Sequence, residues 1–159
     1  MHMTRKARGF TLIELVIVIM LTGIVIAAVS MRMPGDGINL GAQAEQLASD
    51  IRYTQSLAMS RGARFRINFT AGTYQITDAA GVAQGHPSTG LTTPVSLGTT
   101  VLSAYNPPLT NSYLAFDSLG VPYTDPTTAL AALVTLTLTS GGVVINITVA
   151  PQTGRVKLL

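Results

Sequence analysis

The spacing of apolar positions changes three times along the chain. From Phe10 to Met31 the sequence reads FTLIELVIVIMLTGIVIAAVSM, apolar on every side, with Glu14 as its single charge. As a helix rising about 1.5 Å per residue this run is about 33 Å long, close to the roughly 30 Å of a bilayer's hydrocarbon core. The segment Met33-Pro34-Gly35-Asp36-Gly37 then predicts a kink or break. From Leu40 to Ser60 apolar residues return at helical spacing, at Leu40, Ala44, Leu47, Ile51 and Ala58, with Gln43, Glu45 and Asp50 between them. This predicts an amphipathic helix that Gly62 terminates.

Beyond Gly62 the period falls to two. Arg64 to Phe69 and Thr73 to Thr77 alternate around Ala71-Gly72, which predicts a hairpin. Residues 79–100 are small, polar and rich in Gly, Pro and Thr, and predict a loop with at most an edge strand at Val95-Ser96-Leu97. Tyr113 to Asp117 reads as a strand entering a turn at Gly120. Leu133 to Thr139 and Val143 to Val149 alternate around Gly141-Gly142, a second hairpin, and a short strand follows Pro151 to Gly154. The sum is an α+β fold: a long N-terminal helical spine, its first half transmembrane, packed on an antiparallel β-sheet. The chain divides into a basic leader (1–9), a transmembrane helix (10–31), a kink with an amphipathic helix (32–61) and a β-rich domain (62–159).

Composition sharpens this picture at one point. The formal charge is +3, but three of the ten basic residues, Arg5, Lys6 and Arg8, precede Phe10, so seven remain to balance the seven acids. The excess belongs to the leader, and placing it before the apolar run keeps the N-terminus cytoplasmic. It is no argument for a nucleic-acid partner. There is no Cys, which excludes disulfides and thiolate metal sites. His2 and His86 have no companion at ligand spacing, no G-x-G-x-x-G loop occurs, and a Ser-His-Asp triad around His86 has no supporting motif. The expectation is therefore no enzyme, no cofactor and no metal. Asp78, Asp117 and Asp125 read as solvated loop acids, with calcium binding as the alternative.

Glu14 is the chemical oddity. An acid in the middle of a lipid-embedded helix costs about 2.5–3.5 kcal/mol, and such a group calls for a partner. No Lys, Arg or His lies between Phe10 and Met31. A free α-amine would serve, and cleavage after Gly9 would create one on Phe10, mostly protonated with an ordinary pKa of about 8. Two simpler readings, a secretory signal cut near Ala28-Val29-Ser30 and an uncleaved anchor, leave Glu14 unexplained. A contact back to the Phe10 amine of the same chain is the alternative within the cleaved reading.

The stretch Arg8-Gly-Phe-Thr-Leu-Ile-Glu-Leu15 resembles the class III prepilin signal of type IV pilins and type II secretion pseudopilins. The resemblance implies cutting between Gly9 and Phe10 by a prepilin peptidase, N-methylation of Phe10 with S-adenosylmethionine, and pairing of Glu14 with the Phe10 amine of a neighbouring subunit. Leu47 to Ala58, Phe116 to Gly120 and Ile147 to Val156 are similar to GspH/FimT-type minor pilins, and to the MshC pattern. That likeness implies a subunit held in the inner membrane with its globular domain in the periplasm. It would initiate or cap a pseudopilus or type IV pilus, with other pilins and an assembly platform as partners.

Two basic groups remain. Arg64 and Arg66 share one strand face beside Arg61, and Arg155 and Lys157 share another. Gly154-Arg155-Val156-Lys157 resembles the basic tail of DNA-binding minor pilins, with Lys157 where a second Arg is expected. Nucleic acid is thus the alternative partner, and a solvated sheet face the plainer reading.

Overall fold

The computed structural model describes residues 11–30 and 35–159, with 27–30 and 35–38 as backbone alone. The leader, Gly9, Phe10 and the Met33-Pro34 part of the expected kink lie outside the described residues. The chain falls into two units, Met1–Pro34 and Gly35–Leu159.

In the first unit α1 spans Leu12–Ser30. It starts two residues later than the apolar run, because Thr11 is its cap. The Thr11 hydroxyl accepts the Glu14 N–H at 3.3 Å and the Thr11 carbonyl accepts the Leu15 N–H at 3.2 Å. Within the helix the Thr22 hydroxyl bonds back to the Val18 carbonyl at 2.7 Å, so this polar group is satisfied without a partner from elsewhere. Every described side chain from Thr11 to Ile26 is exposed. Among the described residues no helix is long and apolar enough to cross a membrane. The expected span of 10–31 includes residues beyond the described ones at both ends.

The second unit opens with α2, Gly35–Arg61, about 40 Å long. It begins five residues before the expected start at Leu40. Gly35 and Gly37 therefore belong to its first turn rather than to a break, at a cost of about 1 kcal/mol each that the long helix absorbs. Its apolar stripe, Leu40, Ala44, Leu47, Ala48, Ile51 and Ala58, is fully buried. Each such Leu or Ile contributes about 1.5–3 kcal/mol. Gly62 ends the helix as expected, at φ +60°, and the Ala63 N–H reaches back to the Ala58 carbonyl at 3.2 Å. That is the six-to-one bond of a Schellman cap, which favours a residue without Cβ at the left-handed position.

Nine strands follow: β1 Phe65–Phe69, β2 Thr73–Asp78, β3 Val95–Ser96, β4 Val101–Asn106, β5 Tyr113–Phe116, β6 Pro122–Tyr123, β7 Val134–Ser140, β8 Val143–Val149 and β9 Val156–Leu158. All pairings are antiparallel. The β1–β2 hairpin turns at Ala71-Gly72 and the β7–β8 hairpin at Gly141-Gly142, both glycines of the latter at positive φ. The single expected sheet is in fact two, a five-stranded sheet in the order β3-β2-β1-β5-β6 and a four-stranded sheet in the order β4-β7-β8-β9. Helix α2 packs against β1 and β5 of the first and β7, β8 and β9 of the second. Strands β4 and β6 escape the sequence pattern. β4 carries a register shift between Leu102 and Ala104, which breaks its alternation, and β6 is two residues long and begins with a proline.

Candidate functional site

Three constellations carry chemistry. The first is the start of α1. Glu14 lies in the first turn of the helix, not in its middle as the apolar run suggested. Thr11-Leu-Ile-Glu14 has the spacing of a capping box, a signal legible in the sequence but passed over. There the positive end of the helix dipole favours a carboxylate. Glu14 is exposed, and its carboxylate has no ion-pair partner among the described residues. Gly9 and Phe10, the residues of the expected cleavage and methylation, lie outside them.

The second is a buried polar cluster that sequence reasoning missed. Asp50 projects from α2 into the core and is 3% exposed. Its Oδ2 accepts the Tyr74 hydroxyl at 2.5 Å and lies 2.7 Å from His86 Nε2. His86 Nδ1 accepts the Ser88 N–H at 3.3 Å and lies 2.9 Å from the Ser88 hydroxyl. Because a backbone N–H points at Nδ1, the proton on the Asp50 side is assigned to Nε2, which donates to the carboxylate. Burial above all, then the hydrogen bond and charge of Asp50, push the Tyr74 phenol far above its ordinary value near 10. The cluster pins three segments together: α2, β2 and the loop 79–94. It borders a cavity of about 530 Å³ lined by Gln46, Ser49, Pro87 and Ser88 as well as Asp50 and His86.

The sequence placed no Asp near His86, yet the fold delivers one from 36 positions away. The clue was that Asp50 falls three residues after Leu47, on the apolar stripe. The order Asp50, His86, Ser88 resembles a hydrolytic relay. However, the backbone N–H groups of Ser88, Gly90 and Leu91 are committed to acceptors inside the loop and cannot hold an oxyanion. What these contacts do is lock the loop onto α2 and β2. Among the described residues no three His, Cys, Asp or Glu side chains gather as a metal site. Asp78, Asp117 and Asp125 each accept backbone N–H groups of their own turns. The Thr127 and Thr128 N–H groups pull the Asp125 carboxyl down to about 2.

The third comprises the basic groups, which the fold separates onto two sheets. Arg64 and Arg66 flank Phe65 on the face of the five-stranded sheet turned away from the core, and both are half-buried. Arg155 and Lys157 flank buried Val156 at the edge strand of the four-stranded sheet, and both are exposed.

A junction of another kind joins the three stretches whose sequence is similar to minor pilins. The Gln55 side chain donates to the Gly120 carbonyl at 2.9 Å and the Thr153 carbonyl at 2.8 Å. A methyl group on Gly154, whose φ is +61°, would meet Gln55 Nε2 at 2.5 Å, and both the Gly120 carbonyl and the Phe116 ring at 2.9 Å. Residues from Leu47–Ala58, Phe116–Gly120 and Thr153–Val156 thus meet at one packing point, so their pattern encodes the fold.

Residues 4–30 match the prokaryotic N-terminal methylation motif, and residues 43–153 match the type II transport protein GspH family. The competence protein ComGD of Bacillus subtilis (strain 168) is 36% identical over 88 residues, 54% of this chain and 62% of that protein. The chain thus spans less than two thirds of that relative's length. Two crystal forms of the type IV minor pilin FimU of Pseudomonas aeruginosa (strain PAO1) share the fold at 19% identity. Each covers 76% of this chain, with TM-scores of 0.54 and 0.52 over 92% and 87% of the respective FimU chains.

Proposed function

This chain belongs to the type II transport protein GspH family of minor pilins and pseudopilins, and from that premise we propose that it initiates or caps a pilus or pseudopilus at the inner membrane. The observation that carries the proposal is the union in one chain of a methylation motif over 4–30 and a GspH domain over 43–153. In this reading a prepilin peptidase cuts between Gly9 and Phe10 and the new Phe10 amine is methylated, keeping its charge. The apolar run 10–31 holds the subunit in the membrane, and the β-rich unit stands in the periplasm. Other pilins or pseudopilins and the assembly platform are its partners. Glu14 pairs with the Phe10 amine of a neighbour and sets axial register. The position of Glu14 supports that role, since the acid is exposed in the first turn of α1 and has no ion-pair partner among the described residues.

Mass spectrometry of the mature chain from its own host tests the reading. A chain beginning at methylated Phe10 is expected, and replacement of Gly9 by Leu should leave the leader attached. A mature chain that still begins at Phe10 in the Gly9→Leu variant would refute peptidase processing at this site.

A second reading, capture of DNA by a filament tip, is favoured by the likeness to a competence protein and by the exposure of Arg155 and Lys157 on one side of β9.

A further inference from the structure

The outward face of the five-stranded sheet is built differently from an ordinary solvated surface. The Arg64 guanidinium lies 4.1 Å over the Tyr123 ring and donates to the Pro126 carbonyl. The Arg66 guanidinium lies 5.3 Å over the Tyr113 ring and donates to Thr77 Oγ1 at 3.2 Å and to the Ala79 carbonyl at 3.1 Å. Every acceptor is neutral. Among the described residues the only ion pairs are Arg52 with Glu45 and His86 with Asp50, so no carboxylate neutralises either arginine. The nearby acids are committed elsewhere: Asp78 to the Val82 N–H, and Asp125 to the Thr127 and Thr128 N–H groups. Arg61, over the Phe65 ring at 5.6 Å and bonded to Gln84, adds a third positive charge at the entry to β1.

Two cations are thus held in fixed orientation with no carboxylate at ion-pair distance among the described residues. Stacking on tyrosine has already restricted their rotamers, so little further ordering accompanies anion binding. Arg66 lies on β1 and Arg64 just before it; the Arg64 guanidinium turns toward Tyr123 and Pro126 while Arg66 bonds toward Thr77 and Ala79, so the two charges spread across the face of the sheet. The chemistry also selects against a protein partner. Among the described residues no large exposed apolar side chain lies on β1, β2, β3, β5 or β6. A protein interface needs an apolar centre, whereas a phosphodiester backbone needs only charge and positioned donors.

We infer that this face binds the phosphodiester backbone of a nucleic-acid strand through Arg64 and Arg66, without reading its sequence. The inference rests on the DNA-capture reading and moves its principal contact from the C-terminal strand to the five-stranded sheet. The guanidinium forks take phosphate oxygens, and the Thr77 hydroxyl, which accepts from Arg66 and Asn68, has its own proton to donate.

Fluorescence anisotropy of a labelled thymidine-only oligonucleotide with the full chain in neutral-detergent micelles tests it. Binding at about 50 mM salt should weaken steeply by about 200 mM. The double variant Arg64→Gln/Arg66→Gln should lose about tenfold in affinity, and its log–log salt slope should flatten by about 1.4, the value for two phosphates on a single strand. Arg64→Lys/Arg66→Lys, which keeps charge but loses the fork and the stack, should fall between, and carries the test if the Gln variant melts early. Arg155→Gln/Lys157→Gln should lose less affinity than Arg64→Gln/Arg66→Gln and flatten the salt slope less. No binding by the parent chain overturns both the DNA reading and this inference. Binding that survives loss of Arg64 and Arg66 but not of Arg155 and Lys157 keeps the reading and overturns the face. Poly-glutamate held as tightly as the oligonucleotide, with the same dependence on Arg64 and Arg66, overturns the phosphodiester assignment in favour of an acidic protein partner.

Discussion

Glu14 and Asp50 are both acids on apolar helical segments, and the molecule treats them in opposite ways. Asp50 is taken into the core and given two donors, Tyr74 and His86, from segments 24 and 36 residues away. Glu14 stays exposed in the first turn of α1, and its carboxylate has no ion-pair partner among the described residues. A carboxylate fully satisfied within its own chain specifies a fold. The pair separates an acid used to build the Gly35–Leu159 unit from one that the described residues leave exposed and without an ion-pair partner.

The comparison is most easily broken at Asp50. Asp50→Ala leaves a tyrosine hydroxyl and an imidazole N–H buried without an acceptor, and should destabilise the Gly35–Leu159 unit by about 3–5 kcal/mol in urea unfolding of the full chain. A loss under about 1 kcal/mol would mean that water replaces the carboxylate and that the cluster does not hold the loop.

Alkali should produce the next largest effect. Tyr74 is held neutral in the fold, its pKa raised above the unfolded value near 10. The stability it contributes is therefore complete below about pH 10 and is lost as pH rises beyond it, since the unfolded chain can release the proton and the folded chain cannot. Unfolding above that pH should coincide with the last step of phenolate absorbance, and Tyr74→Phe should remove that step. A Tyr74 signal that titrates before unfolding would contradict its burial.

At Glu14 the expected effect on stability is the smallest. Glu14→Ala should shift the unfolding of the globular unit by less than about 0.5 kcal/mol, as for an exposed residue, while incorporation into filaments falls severalfold. Unchanged incorporation in a pull-down of sheared filaments would remove Glu14 from assembly. A large loss of stability would erase the contrast with Asp50.

Much of the fold was legible because its signals are local. Leu40 to Ala58 repeat at helical spacing, Gly62 ends the helix, and two hairpins alternate around Ala71-Gly72 and Gly141-Gly142. What escaped was whatever depends on distant segments or irregular backbone. Strand β4 loses its alternation at a bulge, and β6 is too short to have one. The division into two sheets follows from which edges pair, and no local pattern records that. At the site, Thr11-Leu-Ile-Glu14 was a readable cap, whereas the Asp50–His86 contact was not. His86 sits in a loop without periodicity, and only chain closure brings it to α2.

The sequence by itself determined where the helices and hairpins lie, that the excess charge belongs to the leader, and that Glu14 is anomalous in its apolar run. These are consequences of backbone periods and of charges counted along the chain. Only the tertiary structure decided that Asp50 is internal and Glu14 open, and that Arg64 and Arg66 lie on tyrosine rings while Arg155 and Lys157 stand free on another sheet. Burial and counter-charge are properties of what surrounds a side chain, and those surroundings are assembled from residues far apart in the sequence.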